Sequence, residues 1–334
     1  MRTALTTLLA FVAGVALAVL LLRAPVPQQG GHGPVAPPAP PAASTAAAPA
    51  PVPGDDTASD DWPPQAPTPE QVIYAQPQKL HEALAGLGPR VPGRPNLYLL
   101  AFAADGSEDV FRNEAEYAAT LFTHRFGPGA HALVLENSPD ALSTRPLASW
   151  SNLEAALDGL ARVMQPEQDI LLLYVTTHGS EDHTLLVDMD PLPLDQIGAQ
   201  DLGAILAKRP FKWKVAVINA CYSGGFVPPL RGPGTLVLTA ARSDRSSFGC
   251  GSDSDATYFG RAWLVDALNR TPDFIEAFKL ASREIGNWEQ RDKLTPSEPQ
   301  IDVGKGIAAQ LARWREGLAI GAPVPFKPPR DSAP

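Results

Sequence analysis

Cysteine is scarce in this sequence: Cys221 and Cys250 are the two found in 334 residues. Two distant cysteines exclude a disulfide framework and a CxxC zinc pair. Basic residues are fewer than acidic ones: the sequence has 27 Lys and Arg and 36 Asp and Glu, which gives a net charge of -9. No long basic cluster supplies the positive face that nucleic acid requires. We therefore expect proteins, peptides or small molecules as partners, and no nucleic acid.

One long apolar run lies at the N-terminus, where "ALTTLLAFVAGVALAVLLL" extends from Ala4 to Leu22 without a charged residue. Its length suits the core of a bilayer, which a helix of about 20 residues can cross. We predict a transmembrane anchor over residues 1–23, with the rest of the chain on the extracytoplasmic (periplasmic) side. The alternative is a cleaved signal peptide, because "ALA" at 16–18 fits a small-residue cleavage site.

The next segment, residues 24–70, is dominated by Pro, Ala and Gly and has almost no large apolar side chains. Such a composition cannot offset the entropy lost on ordering, so we expect a disordered linker. The pattern changes near residue 71. We assign residues 71–322 to one globular domain and residues 323–334 to a flexible tail.

Short apolar runs alternate with helix-like stretches in the globular domain, which is typical of a parallel sheet with crossover helices. The predicted strands are 96–103, 131–137, 169–177, 213–220 and 234–241. Helical periodicity occurs at 110–126, 151–164, 257–269 and 274–288. We therefore predict an α/β fold with a mostly parallel central sheet flanked by helices.

Two reactive motifs follow directly on predicted strands: "ILLLYVTT" leads into His178-Gly179, and "KVAVINA" leads into Cys221. The residues between them can hold one crossover helix, which would place both strand ends at the same edge of the sheet. An adjacent imidazole can take the proton of a thiol and stabilise the thiolate. The N–H groups of Gly179 and Cys221 could then bind the oxyanion formed when the thiolate attacks a carbonyl.

Each motif alone has a simpler explanation. A lone cysteine after a buried strand is usually an inert core residue, and a His-Gly pair at a strand end usually belongs to a turn. Packing gives no reason for both to follow two successive strands, so their combination favours a catalytic pair.

The pair "TTHGSEDH" and "NACYSGG" resembles the His-Gly and Ala-Cys motifs of legumain-like cysteine peptidases, family C13 of the caspase-like clan. The interval from His178 to Cys221 is 43 residues, against roughly 50 in caspases. Similarity extends to the segments 105–118, 238–263 and 297–304, and so covers about 96–305. The resemblance implies a caspase/legumain-like three-layer sandwich and a cysteine-type endopeptidase of the bacterial membrane-anchored type, acting on protein or peptide substrates.

The resemblance also implies the roles of individual residues. Cys221 is expected to be the nucleophile, His178 its general base and Gly179 a donor to the oxyanion, without any cofactor. Arg112 falls where legumains place a basic residue in the pocket for the side chain before the scissile bond. It is also compatible with a solvated position in the first turn of a helix.

Three further residues complete the substrate-binding set that the resemblance implies: Asn219, Ser243 and Arg261. Two of them depart from the legumain pattern, since Asn219 replaces an acidic residue two before the nucleophile and Arg261 replaces Asp in a "YxGD" segment. These changes lower the negative charge expected in the pocket. They argue against asparaginyl specificity and for a different, for example acidic, preferred residue.

Cys250 has two possible roles in this interpretation. An extracytoplasmic domain lies in an oxidising space, where a Cys221–Cys250 disulfide would abolish catalysis; we instead expect Cys250 to have a packing role. A metal site at His178, Asp182 and His183 has a spacing that matches no familiar zinc motif, so no metal is expected.

Two alternatives to a hydrolase share the same residues. A transpeptidase or ligase would resolve the acyl-enzyme with an amine instead of water. A catalytically silent, membrane-tethered scaffold would retain the fold with a blocked cleft, although the intact His-Gly and Cys motifs speak against it.

Overall fold

The computed structural model describes residues 62–251 and 254–328. The predicted anchor at residues 1–23 and the predicted linker up to residue 61 lie outside the described residues. Within the described ranges, no helix combines the length and hydrophobicity needed to cross a bilayer.

A six-stranded sheet forms the centre of the domain, with the strand order β2-β1-β3-β6-β7-β8. Neighbouring strands are parallel except β7 and β8, which are antiparallel. A separate two-stranded hairpin joins β4 to β5. The strands are β1 (Leu97–Ala103), β2 (Ala130–Glu136), β3 (Ile170–Thr176), β4 (Thr184–Leu185), β5 (Ile197–Gly198), β6 (Trp213–Asn219), β7 (Thr235–Thr239) and β8 (Gln300–Val303).

The five strands predicted from apolar runs are all present. Each strand is a continuous apolar run in the sequence because helices cover both faces of the sheet. The side chains that point to either face are therefore buried. In β1, Leu97, Leu99 and Ala101 join one core, whereas Tyr98 and Leu100 join the other. This alternation builds the two interfaces of a three-layer α/β sandwich, as predicted.

Helices cover both faces of the sheet. The helices are α1 (Pro69–Ala85), α2 (Asp109–Arg125), α3 (Trp150–Val163), α4 (Ala199–Ala207), α5 (Val227–Leu230), α6 (Phe274–Asp292) and α7 (Ile307–Glu316), together with a π-helix at Gly260–Ala267. One core contains side chains of α2, the π-helix, α6 and α7, and the other contains side chains of α1, α3 and α4. The crossover between β3 and β6 holds α4, the one helix that the sequence predicts there.

Apart from the one-turn helix α5, two helices were not predicted, and α1 has a clear local cause. Thr68 accepts a hydrogen bond from the N–H of Gln71, whose side chain accepts from the N–H of Thr68. This capping box starts the helix, and Pro69 follows at its first position. The second is α7, which packs Leu311 and Trp314 against the core.

Candidate active site

The ends of β3 and β6 bring the His-Gly and Cys motifs together. The two strands are neighbours, and their register pairs Thr176 with Asn219. His178 and Cys221 each follow two residues beyond that pair, at the carboxyl edge of the sheet. This is the placement that the sequence predicts for the two motifs.

Gly179 lies directly against the backbone of Cys221. A Cβ atom added to Gly179 would be 2.3 Å from the carbonyl oxygen of Cys221, so a larger residue does not fit without a shift. Among the described residues, the N–H groups of Gly179 and Cys221 donate to no backbone carbonyl. Two neighbouring N–H groups are thus available to an incoming oxygen atom.

A tight turn presents the Cys221 side chain. Tyr222 has a left-handed backbone, with φ of 55°, and its N–H donates to the carbonyl of Arg245. The half-buried thiol contacts Ser247: the Ser247 N–H lies 3.3 Å from Sγ, and the Ser247 hydroxyl lies 3.6 Å from it. Hydrogen bonds of the thiol within the described residues go to Ser247 and not to His178.

Two carboxylates face the imidazole of His178. Its Nε2 lies 3.6 Å from Asp105 Oδ2 and 3.4 Å from Glu108 Oε2. The edge of the ring packs on Phe111, with 5.2 Å between ring centroids. Ser107 holds the other oxygen of Asp105 through its N–H and its hydroxyl. A carboxylate at Nε2 favours the tautomer that leaves Nδ1 free to accept a proton.

The sequence analysis identified no residue that orients His178, and the structure supplies Asp105 and Glu108. Both follow β1, which is the neighbour of β3 on the side opposite β6. The signal was present in the sequence, because acidic residues directly after a predicted strand lie at the same edge as His178 and Cys221. What the sequence does not contain is the strand order.

Cys250 lies on the segment that follows β7, close to the two motifs. Both cysteines are free thiols. Burial raises the pKa of the Cys250 thiol, and the nearby charges of Cys221 and Glu108 raise it further. This pKa shift disfavours the Cys250 thiolate. Cys250 is therefore a poor candidate for a nucleophile.

Part of the domain is similar to a known protein family. Residues 151–310 match the sequence model of the Peptidase C13 family, and this segment contains His178, Gly179 and Cys221. This segment is similar to the Peptidase C13 family. The domain is a cysteine peptidase, as the sequence motifs predicted, and its substrates are proteins or peptides.

The crystal structure of caspase-1 from Spodoptera frugiperda is similar, with a TM-score of 0.46 and 15% sequence identity over 65% of this chain and 89% of that chain. A search of curated proteins gives no match.

A buried network supports β6, the strand that ends two residues before Cys221. Glu114, which is fully buried, accepts hydrogen bonds from the Tyr174 and Thr176 hydroxyls, the Asn219 amide, and both the N–H and hydroxyl of Thr257, at 2.7 to 2.8 Å. Burial raises the pKa of Glu114, and these donors oppose that effect. Asn219, predicted to bind substrate, is 1% exposed and is held inside this network. The structure places it under the Cys221 turn, not on an open surface.

Arg112 is also placed differently from the open pocket residue that the C13 resemblance implies. It is 6% exposed, and its guanidinium pairs with Asp140 at 2.6 Å and Asp109 at 3.1 Å. With Glu136 it lines a cavity of about 560 Å³ whose lining includes neither His178 nor Cys221. Burial raises the pKa of Glu136 to about 8.

The remaining two predicted substrate-binding residues lie on the surface of the domain. Ser243 is exposed, and its N atom lies beside Gly224 of the Cys221 turn, 2.4 Å from where a Cβ of Gly224 would be. Arg261 pairs with Asp266 and lies over the ring of Phe326, in a groove that the C-terminal residues help to line. The structure therefore groups Ser243, but not Arg261, with the Cys221 turn.

Of the three alternative metal ligands that the sequence suggested, His178 and Asp182 line a cleft of about 650 Å³, whereas His183 is not part of its lining. The ring of His183 lies where a Cβ of Gly225 would be, and Asp182 accepts a hydrogen bond from Ser180. His178 turns instead towards the loop after β1. The cleft is wide enough for peptide side chains and is lined by Gly179, Leu186 and Gln196 among others.

Proposed function

We propose that this peptidase cleaves peptide bonds with Cys221 as nucleophile and His178 as general base. The observation that carries the proposal is the placement of His178-Gly179 and Cys221 at the ends of two neighbouring parallel strands. Gly179 packs on the Cys221 backbone, and the N–H groups of both residues lack a backbone acceptor in the described part of the chain. They serve as the donors to the oxyanion.

The proposed reaction proceeds through an acyl-enzyme. His178 accepts the thiol proton at Nδ1, and the Cys221 sulfur attacks the peptide carbonyl to form a tetrahedral intermediate. The C–N bond then breaks, and the imidazolium gives its proton to the departing amine. Water attacks the thioester with His178 again as base, which releases the carboxylate product and restores the thiol. Asp105 and Glu108 stabilise the imidazolium formed in both halves of the reaction.

The preferred residue before the scissile bond is proposed to differ from Asn. Asn219, two residues before Cys221, donates a hydrogen bond from its side-chain amide to Glu114. The guanidinium of Arg261 pairs with Asp266. Neither supplies a free negative charge to a pocket next to Cys221. Of the four predicted substrate-binding residues, we assign Ser243 to substrate binding because it is exposed beside the Cys221 turn.

The test is cleavage of a peptide library by the purified full chain, with products identified by mass spectrometry. Cys221→Ala should abolish cleavage, and His178→Ala should reduce kcat by at least about 100-fold. Cys250→Ala is the matched control and should retain cleavage. Cleavage that persists in Cys221→Ala would contradict the proposal. Addition of an amine nucleophile during turnover distinguishes hydrolysis from transpeptidation, since a transpeptidase would yield the amine adduct.

A further inference from the structure

Three chemically different metal-binding side chains meet beside the proposed catalytic pair. One ligand atom each from Glu108, His178 and Cys250 lies within 4.8 Å of the other two. These residues come from the segments that follow β1, β3 and β7, so three separate loops converge on one point. We propose that they form a Zn²⁺ site, and that occupation of this site holds the peptidase inactive. The inhibitory part rests on the proposed role of His178, whereas binding of the metal does not.

The ligand set suits zinc better than other common divalent cations. A thiolate and an imidazole select Zn²⁺ over Mg²⁺ or Ca²⁺, which prefer oxygen ligands. Ligand atoms of a tetrahedral zinc ion are about 3.5 Å apart, so the three side chains must move together by about 1 Å at most. A water molecule would fill the fourth position. Binding releases the thiol proton of Cys250 to solvent, because the thiolate is the form that ligates.

Two contacts already orient the ligands. The N–H of Gly251, next to Cys250, donates to Glu108 Oε2 at 2.9 Å, which ties the loop after β7 to the loop after β1. Asp105 is 1% exposed, and its Oδ2 has no hydrogen-bond partner in the described residues although it points at His178, 3.6 Å from Nε2. Asp105 and Glu108 therefore face the same nitrogen of the His178 ring, and both carboxylates would lie close to the ion.

The charges of the cluster also favour a divalent cation. Asp105 and Glu108 bring two carboxylates to one imidazole, and Cys250 would add a thiolate on binding. The two positive charges of Zn²⁺ balance Glu108 and the Cys250 thiolate. Buried negative charge is costly, so the buried carboxylate of Asp105 gains from a nearby cation.

Occupation would block the peptidase in two ways. A neutral imidazole bound to metal through one nitrogen carries its proton on the other, so neither nitrogen can accept the thiol proton of Cys221. The metal would also fix the loop at Cys250, and Ser247 of the same loop already contacts the Cys221 sulfur. Removal of zinc therefore frees both the base and the nucleophile.

Binding is tested on the metal-free full chain with Co²⁺ as a coloured substitute for Zn²⁺. Wild type and Cys221→Ala should both give the near-ultraviolet thiolate-to-cobalt band, which Zn²⁺ abolishes by displacement. Cys250→Ala should lose the band, and Glu108→Gln should weaken binding by about 100-fold. If Cys221→Ala loses the band while Cys250→Ala keeps it, the metal uses the nucleophile and the proposed site is wrong. Absence of any band in wild type also overturns it.

Inhibition is tested separately by cleavage of a peptide substrate with and without Zn²⁺. Wild type should lose activity at the zinc concentration that displaces Co²⁺, and Cys250→Ala and Cys250→Ser should remain active under those conditions. Equal inhibition of wild type and both Cys250 variants would overturn the regulatory part. A chain that shows the cobalt band but no cleavage in any condition would instead refute the proposed peptidase mechanism and leave the metal site standing.

Discussion

Some residues of the candidate site can be identified from a sequence motif. Others lie close to His178 only because of the order of the strands in the sheet. Cys221, His178 and Gly179 were predicted because each follows an apolar strand and the pair matches a known family pattern. Asp105 and Glu108 lie about 70 residues before His178 in the sequence and face it only because β1 and β3 are neighbours. The expectation that no metal binds was based on His178, Asp182 and His183, whereas the cluster found in space combines residues from three loops.

Glu136 gives a residue-scale prediction about pH. Burial raises its pKa from 4.5 to about 8, with a further contribution from Glu116, while Arg145 and Arg112 act in the opposite direction. The folded protein thus favours protonated Glu136, and this contribution to stability is complete below about pH 4.5 and is lost as the pH rises through about 8.

Replacement of Glu136 by Gln removes this titration with little change in volume. Between pH 5 and pH 8 the variant should gain about 3 kcal/mol in unfolding free energy relative to wild type. Urea unfolding at several pH values measures the difference, and Glu284→Gln, at an exposed site on α6, serves as the control with no expected change. Parallel curves for wild type and Glu136→Gln would show that the carboxyl is ionised in the folded state.

At the scale of elements, the strands were predictable and several short or irregular elements were not. Buried parallel strands appear as continuous apolar runs, which is why all five were found. The pair β4 and β5 has two residues in each strand, too few for a pattern. The helical period at 257–269 was recognised, but periodicity alone could not show that Gly260–Ala267 is a π-helix.

The network around Glu114 gives a prediction for the end of β6. Glu114→Ala would leave five hydrogen bonds without their acceptor and open a cavity next to Asn219. We expect a loss of about 3–5 kcal/mol in unfolding free energy. Glu116→Ala on the same helix is the matched control, since its partly exposed pair with Arg145 contributes about 1 kcal/mol or less. Equal losses, measured by urea unfolding, would argue against the supporting role of the network.

For the whole molecule, the α/β architecture and the peptidase class followed from the sequence, and membrane attachment remains a prediction. The uncharged run from Ala4 to Leu22 should keep the full chain in the membrane fraction. Intact-mass measurement should find the N-terminus retained, and a chain that starts at residue 24 should be recovered in the soluble fraction. A soluble product that begins near Val19 would identify the segment as a cleaved signal peptide instead.

The central claim concerns the reactivity of Cys221, and alkylation by iodoacetamide tests it most directly. The metal-free full chain is labelled at about pH 6 and about pH 8, and the modified cysteine is identified by mass spectrometry. A thiol that transfers its proton to an imidazole reacts at mildly acidic pH, where an ordinary thiol is nearly inert. We predict that Cys221 is labelled well before Cys250 at both pH values, and that His178→Ala slows the labelling of Cys221 at the lower pH. If Cys221 resists labelling until the protein is denatured, it is a packing cysteine and the proposed mechanism is wrong.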